Sequence, residues 1–360
     1  MIRKSMSVFL CIIFLSSALL CGCSGENAAA GNSPADTPVA ASPPAKASET
    51  AKADASASGS ASKESSSSTK SGTSSKSSKS ADAKKSAKTR SNKPNVLTPE
   101  ASGTDVRQND FAIIDVSNAS EGYFMTQYLG SNPKVKLRVI TPNELEYFYL
   151  LSGPNVYETF PLPCGDGTYE LQILENISGD RYAVAFSTSV EVTITDKFKP
   201  FLYPNQYVNF DKDCQAVKLG KELAEGLTSD LEVIESVYHY ITTKITYDDE
   251  KAATVVYGYL PDIDDTLRTG TGICFDYASV MSAILRSQGI PTKLEVGYSG
   301  EAYHAWISTF VKDVGWIDKI IEFDGKEWTL MDPTLAANNS NAAVEKYIGD
   351  GSNYVVKFSY

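Results

Sequence analysis

The stretch at residues 270–278, with the sequence GTGICFDYA, places a cysteine at the junction of a glycine-rich turn and a helical pattern. The start of a helix carries partial positive charge and backbone N–H groups that have no intrahelical partner. These groups favour the thiolate form of a cysteine at that position, and the thiolate is the nucleophilic form. The sequence therefore predicts that Cys274 begins a helix as an activated thiol.

A histidine and an aspartate follow this cysteine at spacings that suit a catalytic triad. His304, one of only two histidines in the chain, lies 30 residues after Cys274 in the strand-like run YHAWI. Asp332 lies a further 28 residues on, at the end of the run WTLMD. An activated thiol needs an imidazole within hydrogen-bond reach and a second acceptor that fixes the imidazole tautomer. We therefore predict that Cys274, His304 and Asp332 form a triad.

A thiol that attacks a carbonyl also needs donors for the oxyanion that forms. One donor would be the backbone N–H of Cys274 at the helix start. Trp306, beside His304, is interpreted either as a shield for the ion pair or as an ordinary core residue. For the second oxyanion donor the sequence does not choose among four upstream side chains, Gln206, Tyr247, Tyr257 and Tyr259.

The region at residues 198–360 combines helical patterns with a later run of strands. It opens with an aromatic and proline-rich connector at 198–210, which is typical of a seam between domains. The helix that begins at Cys274 is expected to end at Gly289. Helices followed by antiparallel strands predict an α+β domain in which the nucleophile helix packs on a sheet. The predicted strands are residues 293–298, 303–310, 317–323 and 327–331, the last two joined by an Asp-Gly hairpin turn.

A loop between the predicted helices carries the acidic group Asp262, Asp264 and Asp265. It lacks the loop pattern and the glutamate of an EF-hand, so we interpret it as a solvated acidic turn rather than a calcium site. No phosphate loop, metal-ligand cluster or dinucleotide fingerprint occurs in the sequence. We expect neither a metal nor a cofactor.

The region at residues 106–197 alternates short strand patterns with turn signals. About seven strands in such a length predict an all-β sandwich of the immunoglobulin or fibronectin type. Nothing in this domain suggests catalysis, so we expect a spacer or brace, with substrate or wall binding as the alternative. The predicted strands are residues 111–116, 122–128, 135–140, 146–151, 156–160, 168–177 and 181–193.

The N-terminus has the features of a targeting segment. Arg3 and Lys4 precede an apolar core at residues 9–20, which is too short for a membrane span of about 20 residues. The run then closes on LCGC, which resembles the signal of a bacterial lipoprotein. The resemblance implies a signal peptide at residues 1–22 and a lipid anchor on Cys23. The protein would then lie on the extracellular face of the cell membrane.

Residues 23–105 are rich in Ala, Ser and Lys and show no apolar period, so we expect a disordered tether. Residues 106–360 hold 20 basic and 36 acidic side chains. This acidic balance argues against nucleic acid as a partner. Three cysteines remain beyond Cys23, an odd number in an oxidising compartment. One arrangement pairs Cys164 with Cys214 in a disulfide and leaves the third thiol free.

The motifs GICFDYA, YHAW and MDPT, in this order and spacing, resemble the transglutaminase-like superfamily of thiol enzymes over residues 214–335. The resemblance implies a papain-like α+β core in which Cys274 attacks a carboxamide carbonyl. His304 would take the thiol proton and later protonate the leaving amine, and Asp332 would orient the imidazole. Whether the acyl group then passes to water or to an amine stays open.

Three function classes therefore fit the sequence. The first is a surface-tethered thiol enzyme that acts on amide bonds of proteins or cell-wall peptides. The second is a catalytically silent module that binds wall or protein, and the third is a structural partner of other surface proteins. The presence of all three triad residues favours the enzyme, because a binding module has no need to keep them together.

Overall fold

The computed structural model describes residues 90–299, 301–312, 315–317, 321–323, 328–330 and 354–360. The predicted signal peptide, the predicted lipid anchor at Cys23 and the predicted triad member Asp332 lie outside these residues. Within them, no helix combines the length and the apolar character that a membrane crossing requires.

The first part of the described chain is built from antiparallel strands. Each of the seven strands predicted from alternation and turn signals forms within one residue of its expected bounds. A further strand, β1, was not predicted, because three residues are too few to show an alternating pattern. The strands are β1 (Val106–Gln108), β2 (Ala112–Asp115), β3 (Tyr123–Tyr128), β4 (Val135–Ile140), β5 (Glu146–Leu150), β6 (Tyr157–Pro161), β7 (Gly167–Ser178) and β8 (Arg181–Val192).

These strands form two antiparallel sheets, in the orders β1-β2-β3-β6 and β5-β4-β7-β8. Alternate residues of the central strands face the core, so that Leu137 on β4 and Leu171 and Ile173 on β7 are all fully buried. Successive side chains of a strand point to opposite faces, so one apolar face is enough to bury each sheet. The alternation of apolar and polar residues in the sequence therefore corresponds to the buried and exposed faces of the sheets.

Helices dominate the next part of the chain, and one of them lies at the centre. All residues of α5 are buried, including the guanidinium of Arg286, which donates to the backbone oxygens of Thr292, Tyr203 and Tyr360 at 2.7–2.9 Å. These three bonds connect the nucleophile helix to the connector and to the last strand. Within the described residues the helices are α1 (Gln215–Leu223), α2 (Asp230–Lys244), α3 (Asp249–Thr254), α4 (Ile263–Thr269) and α5 (Cys274–Ser287).

The acidic segment between α2 and α5 contains two short helices, so its interpretation as a long loop was wrong. Asp248 caps α3 and Asp262 caps α4, each by accepting a backbone N–H from the first turn. Asp264 and Asp265 lie in the first turn of α4, where the helix dipole favours negative charge. The acidic group is therefore a helix start. It was missed because helices of six and seven residues are too short to show a clear apolar period.

The sheet that receives α5 follows in the order β13-β12-β11-β16, with all pairs antiparallel. The helix packs against β11 and β12, as the sequence predicted. The predicted hairpin also forms, as β14 paired with β15, and a short parallel pair joins β9 to β10. The strands are β9 (Thr246–Tyr247), β10 (Thr271–Gly272), β11 (Thr292–Ser299), β12 (Ala302–Val311), β13 (Gly315–Ile317), β14 (Ile321–Phe323), β15 (Trp328–Leu330) and β16 (Tyr354–Ser359).

The connector between the two parts of the chain forms an aromatic seam, as predicted. The Tyr207 ring lies 5.6 Å from the ring of Tyr149 on β5 and 5.3 Å from that of Phe275 on α5. Tyr207 also accepts a hydrogen bond from the Ser279 hydroxyl of α5 through its backbone oxygen, at 2.6 Å. The seam therefore joins the β-rich part directly to the nucleophile helix.

The described chain upstream of β1 differs from the expected tether. Arg90 forms an ion pair with Asp230 at 2.8 Å, and the backbone N–H of Asn95 donates to the Ser287 carbonyl at 2.7 Å. Residues 90–105 thus include a strap that lies on α2 and on the end of α5. Polar contacts with distant residues leave no periodic trace in the sequence, which is why this segment was assigned to the tether.

Candidate active site

Cys274 is the first residue of α5, at the position that the glycine-rich motif predicted. The turn before it is fixed by the pairing of β10 with β9, which aligns Gly272 with Tyr247. Gly272 also allows close approach, because a Cβ atom there would lie 2.7 Å from the Cβ of Asp276. The backbone N–H groups of the first turn of α5 therefore surround the thiol.

Asp276 fixes the start of this helix from inside the protein. Its side chain has no exposed area, and it accepts the backbone N–H of Ile273 at 2.8 Å. The same carboxylate binds the ammonium of Lys251 at 2.7 Å and accepts the hydroxyl of Tyr259. Three donors from three segments thus satisfy one buried carboxylate, close to the thiol.

The environment of the Cys274 thiol differs from the expected one. The backbone N–H groups of Cys274, Phe275 and Ala305 favour the thiolate, but burial opposes it more strongly and the charge of Asp276 opposes it as well. Together they raise the pKa of Cys274 to about 11. The helix-start amides lower the pKa, as the sequence argument expected, but burial outweighs them, because a residue with 6% exposure loses most of its hydration. A cationic partner is needed to form the thiolate at neutral pH.

The structure places this thiol against the backbone of β12 at Ala305, the residue after His304. The Ala305 amide that contacts the sulfur is the peptide group that joins His304 to Ala305 on β12. The His304 side chain is 9% exposed, and its ring lies 6.4 Å from that of Trp306 at an interplanar angle of 26°. The fold thus brings the backbone at His304 and Ala305 to the predicted nucleophile, and the pairing of the imidazole with the thiol stays a prediction. Asp332 lies outside the described residues.

Tyr247 is the oxyanion candidate that the fold brings to the thiol. Its hydroxyl oxygen lies at the backbone N–H of Cys274, and the pKa of Tyr247 is raised chiefly by burial and then by the nearby Cys274. The amide and the hydroxyl therefore lie together at the start of α5. The N–H donates to the hydroxyl oxygen in the structure, so a carbonyl oxygen that enters here has to take that N–H over from the hydroxyl.

The other three candidates lie elsewhere, and their selection as oxyanion donors is not supported. Gln206 donates to the Leu150 carbonyl at 2.6 Å and to Glu158 at 2.8 Å, both in the β-rich part. The Tyr257 ring lies 5.1 Å from the Lys136 ammonium of β4. The third candidate, Tyr259, binds the carboxylate that fixes the helix start. Aromatic and amide side chains are common in seams, and sequence alone does not separate the two roles.

Trp306 is a core residue with a defined partner. It is 1% exposed, and its indole N–H donates to Glu295 on β11 at 2.9 Å. Residues two apart on a strand point to the same face, so the Trp306 and His304 rings lie side by side on β12. The sequence analysis did not identify Glu295 as a candidate site residue. The antiparallel pairing of β11 with β12 places it directly across from Trp306, two residues from the partner of His304.

The predicted disulfide does not form, and Cys164 and Cys214 are free thiols. The Cys214 thiol donates to Asp264 at 3.0 Å, and burial raises its pKa to about 12. Cys164 lies instead beside the hydroxyls of Thr141 and Tyr147. Each sulfur is therefore held by a different local partner, which a count of cysteines could not reveal. Among the residues described, no cluster of three or more His, Cys, Asp or Glu side chains is arranged to hold a metal.

Comparison with known proteins adds a family to this geometry. Residues 217–319 match the sequence model of the Transglutaminase-like superfamily, and no curated protein matches the chain. Among solved structures, a candidate cysteine protease from Cytophaga hutchinsonii shares 14% identity with a TM-score of 0.29, covering 59% of this chain and 67% of that one. A candidate protease from Parabacteroides distasonis shares 11% identity with a TM-score of 0.26, covering 57% of this chain and 63% of that one.

A structure described as a TGase shares 19% identity with a TM-score of 0.26, and the match covers 41% of this chain and 42% of that one. TM-scores of this size carry no argument about function. The sequence match is independent of them and includes both the cysteine motif and the histidine motif. It identifies residues 217–319 as similar to the transglutaminase-like superfamily, which confirms the resemblance predicted from the motifs.

Proposed function

We propose that this protein is a thiol enzyme that cleaves or transfers the acyl groups of amide bonds. The observation that carries the proposal is the position of the Cys274 sulfur, at the start of α5 and against the peptide group that joins His304 to Ala305. The family match of residues 217–319 is consistent with this chemistry.

In the proposed reaction, His304 takes the thiol proton and the Cys274 thiolate attacks the carbonyl carbon of an amide. The oxyanion of the tetrahedral intermediate accepts hydrogen bonds from the Cys274 backbone N–H and the Tyr247 hydroxyl. The C–N bond then breaks and the amine leaves with the proton from His304, which forms a thioester on Cys274. Water or a second amine attacks the thioester, and its proton returns through His304 to the thiol. Asp332 would orient the imidazole in this scheme.

We propose further that the β-rich part is an immunoglobulin-like sandwich that braces the catalytic part. Without the edge strand β1, its sheets have the orders β2-β3-β6 and β5-β4-β7-β8, which correspond to the B–E and C–F–G pairings of such sandwiches. Lys136 and Leu150 of this part contact the loop at residues 257–258, and that loop leads to Tyr259 at the buried Asp276. These contacts support a brace.

The setting of the protein rests on its sequence. We propose attachment to the extracellular face of the bacterial membrane through a lipid on Cys23, with proteins or cell-wall peptides as substrates. The acidic balance of residues 106–360 supports a partner other than nucleic acid. The alternative of a catalytically silent binding module is favoured by one observation, the burial of the Cys274 side chain at 6% exposure.

The test is turnover of amide substrates by the full chain and by Cys274→Ala. A panel of peptides is assayed for hydrolysis, and the same panel with labelled amines is assayed for transamidation. We expect one of the two activities, an acyl adduct on Cys274 by mass spectrometry, and loss of both in Cys274→Ala with an unchanged melting temperature. Activity that persists in this variant contradicts the proposal. A folded protein that forms no adduct with any peptide favours the binding module.

A further inference from the structure

Glu295 is a buried carboxylate on β11, and it pairs across the ladder with Trp306, two residues from the Gly297–His304 pair. Its side chain accepts the indole N–H of Trp306 at 2.9 Å and the hydroxyl of Ser308 at 2.7 Å, both at Oε2. The Ser359 hydroxyl of β16 donates to Oε1 at 3.4 Å. Glu295 is 5% exposed, and Trp306 and Ser308 are 1% and 0% exposed. One carboxylate thus links three strands of the sheet.

A carboxylate is a costly residue to place in this position. Removing an ionised carboxylate from water costs several kcal/mol even after relaxation. An apolar side chain at this point of β11 would avoid that cost, and the flanking Leu294 and Val296 show that the strand carries apolar residues. What the carboxylate provides instead is a directional acceptor, and the indole N–H of Trp306 is one of its donors.

That bond fixes the rotation of the indole. A buried tryptophan has two side-chain torsions, and a hydrogen bond at Nε1 defines both once the ring is packed. The far edge of the ring reaches Gly297, where an added Cβ would lie 3.0 Å from Cη2 of Trp306. Gly297 is the residue paired with His304 across the β11–β12 ladder. The indole therefore lies along the row that holds the imidazole.

We infer that Glu295 is a positioning residue for His304 and acts through the orientation of Trp306. The imidazole and indole rings lie 6.4 Å apart, nearly parallel at 26°, so the indole forms one wall of the imidazole site. If the indole turns, the imidazole loses this wall and its alignment with the Cys274 sulfur. The inference deepens the proposed function and depends on it, because the alignment matters only if His304 takes the thiol proton.

The test separates geometry from charge at one position. Glu295→Gln keeps an oxygen acceptor at the same distance and removes the charge, whereas Glu295→Asp keeps the charge and shortens the reach by one methylene. We expect Glu295→Gln to keep kcat within about 3-fold of the natural protein. We expect Glu295→Asp to lower kcat about 10- to 100-fold with KM within about 2-fold, since a small misplacement of a catalytic group costs that much. Ser308→Ala is the matched control, because it removes the other donor to Oε2 and leaves the Trp306 bond in place.

The relative activities of the Glu295 variants can overturn the inference in two ways. A reversed order, with Glu295→Asp active and Glu295→Gln impaired, overturns it in favour of an electrostatic role. Equal activity in all variants overturns it as well, provided that Cys274→Ala is inactive. If Cys274→Ala keeps its activity, the proposed function itself fails, and the two failures are thereby distinguished.

Near-ultraviolet circular dichroism of the full chain confirms that each variant is folded and reports on the tryptophan environment. If Glu295→Asp does not fold, Trp306→Phe replaces it, and natural kcat in that variant overturns the inference.

Discussion

Replacement of Asp276 by Asn should lower the stability of the protein and at the same time make Cys274 easier to ionise. The two effects have different origins. The carboxylate holds the N–H of Ile273, the hydroxyl of Tyr259 and the ammonium of Lys251, and its own side chain is fully buried. Its negative charge also raises the pKa of the Cys274 thiol. Asn keeps an acceptor for one or two donors and removes the charge.

The size of the stability loss follows from the partners. Breaking a buried ion pair by removing one member costs about 3–5 kcal/mol. The side chain of Lys251 keeps 29% exposure and can turn towards water, so we expect the lower end, a loss of about 3 kcal/mol in the free energy of unfolding. Urea denaturation of the natural chain and of Asp276→Asn measures it. Lys251→Met is the matched control, because it removes the cation and leaves the carboxylate with its other donors.

The second effect is measured on the thiol by itself. In a His304→Ala background the thiol titrates without its proposed partner, and the pH dependence of alkylation by iodoacetamide gives its pKa. The sign is fixed by electrostatics, since removing a nearby negative charge favours the thiolate and lowers the pKa. We expect Asp276→Asn to lower the pKa of Cys274 below its value in the His304→Ala chain. An unchanged or higher pKa, or a stability loss under about 1 kcal/mol, would refute the reasoning.

Three further predictions concern other buried contacts. Gly297→Ala should displace β16 and cost more than about 2 kcal/mol, because the added Cβ would overlap the Val355 carbonyl oxygen. Calorimetry checks this, and an unchanged melting temperature contradicts it. Arg286→Leu should cost at least about 3 kcal/mol, since three buried carbonyls lose their donor, and a neutral effect in urea denaturation would contradict it. Cys214 has a pKa raised to about 12, so its neutral thiol stabilises the fold below about pH 9, and this contribution is lost as pH rises towards 12. Melting temperatures should therefore fall less steeply above about pH 9 in Cys214→Ala, and parallel curves would contradict this.

The sequence predicted those parts of the molecule that local patterns determine. Alternation and turn signals together located seven strands, and the glycine-rich turn located the first residue of α5. The family resemblance was also predictable, because the cysteine and the histidine each lie in a recognisable motif within the matched residues 217–319. These are features in which one short stretch carries the whole signal.

Features that depend on distant partners could not be predicted in this way. The thiol pKa depends on burial and on Asp276, neither of which appears in the helix-start argument. Glu295 becomes explicable through its donor Trp306 on the next strand, and Gln206, one of four oxyanion candidates, donates instead to partners in the β-rich part. Cys214 is bound by Asp264, fifty residues away, so cysteine counting alone suggested a disulfide. Each of these cases needs a pairing that the fold supplies.

The most direct test of the account is the alkylation rate of Cys274 across pH in the full chain, with and without His304. Cys164 and Cys214 serve as internal controls when labelling is resolved by peptide mass spectrometry. In the natural chain a thiolate–imidazolium pair predicts fast labelling of Cys274 at and below neutral pH. His304→Ala should shift the inflection to near pH 11, where burial holds the isolated thiol. About one molecule in 10⁴ would then carry a Cys274 thiolate at pH 7. A thiolate of high pKa is more nucleophilic, which offsets part of this loss, so we expect the labelling rate to fall about 100-fold. Equal rates at pH 7, with one inflection near pH 11 in both proteins, would contradict the ion pair.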